Sequence, residues 1–157
     1  MLQFLKRGIW FIVAGLLAAL FLLAGWMAFT KSYVIFPMQN VKVRVEIADS
    51  PKEWQQGLMF RERLDDGAGM LFVGDKETMP AFWMKNMKFA LDMIFISADK
   101  KVVDIKQNFQ PCMVENCPDY FSKAPARYIL EVRAGFVEKN KISIGDSVAF
   151  ITSQLFY

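Results

Sequence analysis

Lys85 and Asp92 carry opposite charges within the apolar stretch 83-WMKNMKFALDMIFI-96, and they are the residues of this chain best placed to do chemistry. If the stretch folds as a β-hairpin, a two-residue or a four-residue loop alike pairs Lys85 with Asp92 and Trp83 with Ile94. Both charges would then lie on the apolar, inward face of a sheet, where a charge is costly unless it is paired. The pattern therefore predicts that Lys85 and Asp92 are cross-strand neighbours.

Two interpretations of this pair stay open. The first is a structural ion pair at the mouth of the sheet. The second is a ligand pocket, in which Lys85, Asp92 and Asn86 supply the polar groups and Trp83 forms an apolar wall.

Arg61 in "GLMFRE" and Glu131 in "YILEV" are further charged residues that could join such a pocket. Each is expected instead to face solvent or to be paired structurally, since strand alternation alone explains them. A hydrolase would use Asp92 and Glu131 as a carboxylate pair with Lys85 as a charge stabiliser. Glycoside hydrolysis requires such carboxyls about 5–9.5 Å apart across an open cleft.

The composition excludes several kinds of site. The 157 residues include no histidine and only two cysteines, so Ser-His-Asp and Cys-His arrangements and a four-thiolate metal site are ruled out within the chain. Thioethers could ligate a soft metal, but methionine more often fills irregular gaps in a core. We therefore predict no metal, no cofactor and no catalytic group, and assign a packing role to Met59, Met70, Met84, Met87 and Met93.

The charge balance argues against nucleic acid as a partner. Nineteen Lys and Arg oppose sixteen Asp and Glu, for a net charge of +3. Without Lys6 and Arg7, which precede an apolar N-terminal segment, seventeen cations oppose sixteen anions, so the remainder carries +1. Such a domain lacks the basic patch that nucleic-acid binding needs.

Residues 8–30 contain no charge over twenty-three positions. At about 1.5 Å per residue, a helix of this length crosses a hydrocarbon core of roughly 30 Å. Lys6 and Arg7 before it, with Trp10 and Trp26 near its ends, predict a single-pass anchor with a cytoplasmic N-terminus and an extracytoplasmic C-terminal domain. A cleaved signal peptide is the alternative, although its apolar region usually spans only about 7–15 residues. The resulting division is an anchor over residues 1–30, a tether over 31–40 and an exported domain over 41–157.

Export decides how Cys112 and Cys117 are interpreted. An oxidising compartment favours a disulfide, so we predict that these two cysteines are bonded. A redox-active pair is the alternative, but that chemistry is associated with C-x-x-C spacing, whereas "CMVENC" places four residues between the thiols.

The exported part reads as short strands and turns. Val41, Val43, Val45 and Ile47 alternate with charged residues, which predicts a half-buried strand. The segment 50-SPKE-53 is typical of a helix start with a capping box. With about seven strands and one or two short helices, the predicted fold is mostly β, a compact sandwich or barrel-like domain behind one transmembrane helix.

Five motifs in order give the chain a family resemblance: "GLMFRERLDDGAGMLF", "FWMKNMKFALDMIFI", "QPCMVENCP", "ARYILEV" and "IGDSV". Over residues 41–152 the chain resembles the family called domain of unknown function 192. The resemblance implies a compact mostly-β domain, often behind an export or anchor segment, and no established activity. It places the family's motif positions on Gly57, Met59, Arg61, Trp83, Lys85, Asn86, Asp92 and Glu131.

Three functions compete. A membrane-anchored binding module for a small polar or carbohydrate ligand of the cell envelope is the main expectation, with Arg61, Trp83, Lys85, Asn86, Asp92 and Glu131 as candidate ligand-binding residues. A scaffolding or assembly protein of an envelope complex is the alternative, and a carboxylate-based hydrolase is the second alternative. Enzymatic activity is thus not the leading expectation.

The anchor generates the first testable prediction. Full-length protein should stay in the membrane fraction after carbonate washing, with its C-terminus accessible only from outside the cytoplasm. Sequencing of the mature N-terminus provides the check, because a start near residue 29 together with soluble release would contradict an uncleaved anchor.

Overall fold

The computed structural model describes residues 31–152, which form nine strands and two short helices. The strands are β1 (Ser32–Phe36), β2 (Val41–Ala48), β3 (Ala68–Thr78), β4 (Ala81–Phe82), β5 (Leu91–Ile96), β6 (Val102–Phe109), β7 (Tyr120–Phe121), β8 (Ala126–Arg133) and β9 (Ala149–Ile151). The helices are α1 (Pro51–Gln56) and α2 (Phe136–Asn140).

Seven strands form one sheet in the order β6-β5-β8-β3-β2-β1-β9, and β4 pairs with β7 in a separate ribbon. Strands β2 and β3 are parallel, joined by a crossover that contains α1, and the other pairs are antiparallel. Near the start of β6, Lys100 and Lys101 meet the segment before β9 through one hydrogen bond to Val148 and a bridge to Ser147. The predicted mostly-β class is confirmed, but within residues 31–152 the sheet stays open and no closed barrel forms.

A hydrophobic core lies on each face of the sheet. The first core draws side chains from β1, β2, β3, β5, β6 and β8 and from α2, including Phe36, Val43, Leu71, Ile94, Leu130 and Val137. The second core lies beneath α1 and the segment from β4 to β5, and includes Leu58, Phe72, Phe82, Met84, Met93 and Ile129. Strand β5 is buried at all six positions because both cores cover it.

The local patterns of β2 and α1 fold as expected. Val43 and Val45 face the first core while the charged residues between them are exposed. Ser50 caps α1, since its Oγ accepts the Glu53 N–H while a Glu53 carboxylate oxygen accepts the Ser50 N–H. These reciprocal bonds satisfy two amides at the helix start.

The expected tether over residues 31–40 is ordered instead. Ser32–Phe36 forms β1, which pairs with both β2 and β9, and the compact unit begins at Ser32. Val34 and Phe36 contribute fully buried side chains to the first core, which explains why this strand belongs to the domain. The predicted anchor lies outside the described residues, and no helix among residues 31–152 is long and apolar enough to cross a membrane.

The predicted hairpin between Lys85 and Asp92 is wrong. Its continuation is correct in part, since Ile94 does pair with Ile105. The segment before β5 leaves the sheet, however: Asn86 has a positive φ of 57°, and Lys85 forms a parallel bridge with Cys112. The second neighbour of β5 is β8, which pairs Asp92 with Val132, so neither Lys85 nor Trp83 has the expected partner.

Asp92 is completely buried on the first-core face and is held by backbone amides. Its Oδ1 accepts the Asn108 N–H at 2.8 Å, and its Oδ2 accepts the Val137 N–H at 2.9 Å. Asn108 has a φ of 55° and lies where the β5–β6 register shifts, and Val137 is in the first turn of α2. One carboxylate therefore fastens an irregular strand and a helix start to β5.

This arrangement predicts that Asp92 and Lys85 are energetically independent. Asp92→Ala should destabilise the protein by roughly 2–4 kcal/mol, because the buried Val137 amide and the partly buried Asn108 amide lose their acceptor. Lys85→Met, at an exposed position, should change the free energy of unfolding by less than about 0.5 kcal/mol. Denaturant unfolding of both single variants and the double variant would measure their coupling, which we expect to be within about 0.5 kcal/mol of zero. A coupling energy above about 1 kcal/mol would instead show that Lys85 and Asp92 interact as an ion pair.

Candidate functional site

Two neighbouring cavities open on the second-core side of the sheet, and they share Gln55, Met59 and Trp83. We call the first the Glu131 cavity; its volume is about 210 Å³. The second is the Lys85 cavity, of about 470 Å³. The Glu131 cavity is lined by Trp54, Gln55, Gln56, Gly57, Leu58, Met59, Phe72, Ala81, Phe82, Trp83, Met87 and Glu131. The Lys85 cavity is lined by Gln55, Met59, Trp83, Lys85, Asn86, Glu115, Asn116, Cys117 and Asp119.

Glu131 is a buried carboxyl without a protein partner. In β8 it pairs with Met70 of β3 and Met93 of β5, so thioether side chains flank it on both sides. Glu131 lines the cavity with only 5% of the residue exposed, and no hydrogen bond or ion pair joins its carboxyl to another group among residues 31–152. Burial raises the pKa of Glu131 to about 8, because the charged form is poorly solvated.

The other two buried carboxylates have partners. Asp92 accepts two backbone amides, from Asn108 and Val137. Asp104 accepts the Lys123 N–H at 2.9 Å and lies 3.2 Å from the ammonium group of Lys106. Glu131 differs from these two carboxylates, because it faces a cavity instead of a hydrogen-bond or ion-pair partner among the described residues.

Aromatic rings form the walls around Glu131. Trp54 of α1 packs on Phe72 and Phe82 with ring centroids 5.5 and 5.9 Å apart, and Phe72 meets Phe82 edge-on at 5.2 Å. Trp83, which is 44% exposed, stands on the side shared with the Lys85 cavity. Phe72 of β3 and Glu131 of β8 form the floor of the cavity, and Trp54 of α1 and Trp83 after β4 form its rim.

The predicted disulfide between Cys112 and Cys117 is present, with the two Cα atoms 5.9 Å apart. The Cys112 N–H donates to the Met84 carbonyl at 2.9 Å, which attaches the disulfide loop to the segment that carries Trp83 and Lys85. Cys117 lines the Lys85 cavity. The bond thus helps to shape the wall of the candidate site.

Two residues with positive φ, Phe60 and Asn86, are hydrogen-bonded to each other beside the two cavities. Phe60 has a φ of 66° and Asn86 a φ of 57°, and the Phe60 N–H donates to the Asn86 carbonyl at 3.0 Å. The Asn86 side-chain amide also contacts the Met59 sulfur at 3.8 Å. A bulky residue at positive φ costs about 1–3 kcal/mol and is retained where its surroundings enforce it, often at functional sites.

Comparison with known proteins assigns this domain to a family. The family model DUF192, described as "Uncharacterized ACR", matches residues 34–150. The chain belongs to the DUF192 family.

Relatives of this DUF192 chain include UPF0127 proteins of Pyrococcus furiosus and Pyrococcus abyssi, at 29% identity over 110 residues and 30% over 114. Each match covers 69% of this chain and 87% of the relative. A Novosphingobium aromaticivorans protein of unknown function has a similar crystal structure, with a TM-score of 0.68 at 31% identity, covering 76% of this chain and 83% of the other. A candidate transcription regulator of Sinorhizobium meliloti gives a TM-score of 0.67 at 33% identity, covering 76% and 92%.

The structure sorts the predicted ligand-binding residues of this DUF192 domain into two groups. It brings together Trp83, Lys85 and Asn86 in the Lys85 cavity, and places Glu131 in the adjoining one. Arg61 lies outside both cavities and is paired, since its guanidinium binds the Glu46 carboxylate at 2.5 and 2.8 Å. That bidentate bond lowers the pKa of Glu46 and raises the pKa of Arg61.

Asp92 lies on the other face of the sheet from Glu131. The register pairs Asp92 with Val132 and Met93 with Glu131, so the two carboxyls are one position apart on neighbouring strands and point to different cores. The expectation of a hydrolytic pair formed by Asp92 and Glu131 is therefore wrong, because no cleft can lie between them.

Several lining residues were not expected from the sequence. Gln55, Gln56, Phe82 and Met87 line the cavities with Trp54. Trp54 in a short capped helix was the available signal, since a large aromatic residue on a six-residue helix must cover something. Met70, Met84, Met87 and Met93 pack in the second core, as the sequence interpretation proposed.

Glu131 generates a prediction about stability and pH. An acid whose pKa is higher in the folded state than in the unfolded chain binds its proton more tightly when folded. Its contribution to stability is therefore complete below pH 4.5 and is lost as the pH rises to about 8. The shift corresponds to about 5 kcal/mol.

Glu131→Gln should remove this loss, because an amide resembles the protonated acid and does not ionise. We expect similar stability of variant and parent at pH 4.5, and a more stable variant by several kcal/mol at pH 9. Urea unfolding across this range provides the measurement, with Glu138→Gln, at an exposed position of α2, as the control that should change nothing. Parallel curves for Glu131→Gln and the parent would contradict a buried, unpartnered carboxyl.

Proposed function

We propose that this DUF192 domain is an exported, membrane-tethered binding module for a small polar ligand of the cell envelope, such as a carbohydrate. The observation that supports it most is Trp83, a half-exposed aromatic wall shared by two adjoining cavities. Ligand sites usually combine apolar and aromatic walls with a few placed polar groups. The export and the tether rest on the uncharged segment over residues 8–30.

The two cavities offer complementary chemistry. The Glu131 cavity has aromatic and thioether walls, whereas the Lys85 cavity carries polar side chains, among them Lys85, Asn86 and Asn116. A sugar ring stacks its apolar face on an aromatic side chain and directs its hydroxyls to amide and charged groups. A ligand lying over Trp83 would meet both requirements.

The rim is built to keep its shape. The disulfide, the Cys112–Met84 hydrogen bond and the Phe60–Asn86 hydrogen bond connect segments that are distant in sequence. A binding surface that is rigid before the ligand arrives loses less conformational entropy on binding. The strain at Phe60 is consistent with a site in which shape is maintained at some cost in stability.

Thermal unfolding of the full-length chain tests this function. The protein would be kept in a polyoxyethylene detergent, whose headgroup carries neither sugar nor ammonium, and screened against neutral sugars, amino sugars and amino alcohols. A true ligand at 100 times its Kd should stabilise the fold by about 2.7 kcal/mol. Trp83→Ala should abolish this stabilisation.

Phe121→Ala serves as the matched control, because Phe121 is 55% exposed and lines neither cavity. It should leave the ligand effect intact. A panel that yields no saturable shift, or shifts that survive Trp83→Ala, would contradict the proposed function.

A further inference from the structure

The Glu131 cavity contains one ionisable group and no counter-charge. Every other lining residue is apolar, aromatic or an uncharged amide. A carboxylate withdrawn from water without a partner costs several kcal/mol. Asp92 and Asp104 have hydrogen-bond partners inside the protein, whereas Glu131 has none among the described residues. A molecule that the protein binds is therefore a candidate for the partner of Glu131.

The walls favour a particular partner. The rings of Trp54, Phe72, Phe82 and Trp83 line the cavity. Cations are attracted to aromatic faces, most strongly to that of Trp. An anion would be repelled by the carboxylate, and a neutral apolar group would leave it uncompensated. A cavity with aromatic walls and a single acid at its floor is suited to bind an organic cation.

The dimensions limit what enters. At about 210 Å³ the Glu131 cavity is smaller than the roughly 300–1,000 Å³ typical of whole small-molecule sites. It suits one compact headgroup, while the rest of the ligand lies across Trp83 in the Lys85 cavity of about 470 Å³.

We propose that the Glu131 cavity binds the ammonium group of an organic ligand, with Glu131 as its counter-ion and Trp54 and Trp83 as aromatic walls. This inference rests on the proposed function and narrows its ligand to a positively charged one. A quaternary ammonium of the choline type and the protonated amine of an amino sugar share this chemistry.

Other charges around Glu131 are either paired or, like Lys85 in the adjoining cavity, exposed to solvent. Three ion pairs lie on the same side of the sheet, and the strand neighbours Met70 and Met93 do not titrate. The pairs are Arg61 with Glu46, Lys106 with Asp104, and Arg133 with Asp66. Glu115 and Asp119 lie in the Lys85 cavity and are exposed. Titration of the site near neutral pH is therefore assigned to Glu131.

Charge and isostere comparisons on the full-length chain test the proposal. Calorimetric titration would compare choline with 3,3-dimethylbutanol, its neutral carbon counterpart, and glucosamine with N-acetylglucosamine. Choline keeps its charge at every pH, whereas the amine of glucosamine loses its proton near pH 8, as an α-amino group does at about 7.7–8.0. We therefore expect choline at pH 8.5, or glucosamine at pH 7, to bind tenfold or more tightly than its neutral partner, a difference of about 1.4 kcal/mol. The pair that shows the difference identifies the kind of ammonium.

The pH dependence supplies a second, independent readout. Choline binds the ionised acid and does not itself titrate, so its affinity should rise by about tenfold per pH unit below the pKa of Glu131 and level off above about pH 8. A neutral ligand that accepts a hydrogen bond from the protonated acid would show the opposite trend. Glu131→Gln should abolish both the charge preference and the pH dependence, with the Glu138→Gln protein as control.

Three outcomes separate the hypotheses. Neutral members that bind as tightly as charged ones, still dependent on Trp83, overturn the ammonium proposal and leave the binding module intact. Affinity for choline that falls with rising pH overturns the ammonium proposal in the same way. Absence of binding by every compound overturns both. The parent-protein comparisons decide the matter even if Glu131→Gln folds poorly.

Discussion

Burial of β5 and β8 on both faces is the constraint on which the rest of the structure depends. These two strands lie between the two cores, so a charge at one of their fully buried positions is removed from water whichever way it points. Asp92 and Glu131 occupy neighbouring positions on the two strands and face opposite cores. Each carboxyl needs a partner inside the molecule, because a buried charge without one is uncompensated. Asp92 has such partners, and Glu131 does not.

The protein itself supplies the partners of the Asp92 carboxylate. Its two oxygens accept amides from the register shift in β6 and from the first turn of α2, both of which lack a regular backbone partner there. The carboxylate thus organises the edge of the sheet and the helix that covers the first core. Glu131 has no hydrogen-bond or ion-pair partner among residues 31–152, and its neighbours on the two adjoining strands are Met70 and Met93. The same chain can satisfy a buried acid on one face, so its failure to do so on the other points to function rather than to a packing accident.

The sequence predicted the local features and missed the long-range ones. Alternation in β2, the capping box at Ser50 and the Ile94–Ile105 pairing depend on neighbours or short turns, and all three are correct. The Lys85–Asp92 pairing failed because the positive φ of Asn86 ends the alternation before β5 begins. It failed also because the second partner of β5 is β8, some forty residues further along the chain. No local period identifies such a partner.

The candidate site was half visible for the same reason. Trp83, Lys85 and Asn86 are close in sequence, and so the sequence alone was enough to group them. The Glu131 cavity instead assembles residues from α1, β3, the segment after β4, and β8, and only the crossover between the parallel strands β2 and β3 brings Trp54 over the floor. Because the alternation of β8 does show Glu131 on a face shared with Ile129, the informative sign was an acid on an apolar face without a cation opposite it. In a strand buried on both sides, an acid without a cation opposite it indicates a binding group more strongly than a buried ion pair does. In an ion pair each charge is already compensated by the other, so no ligand is needed to account for it.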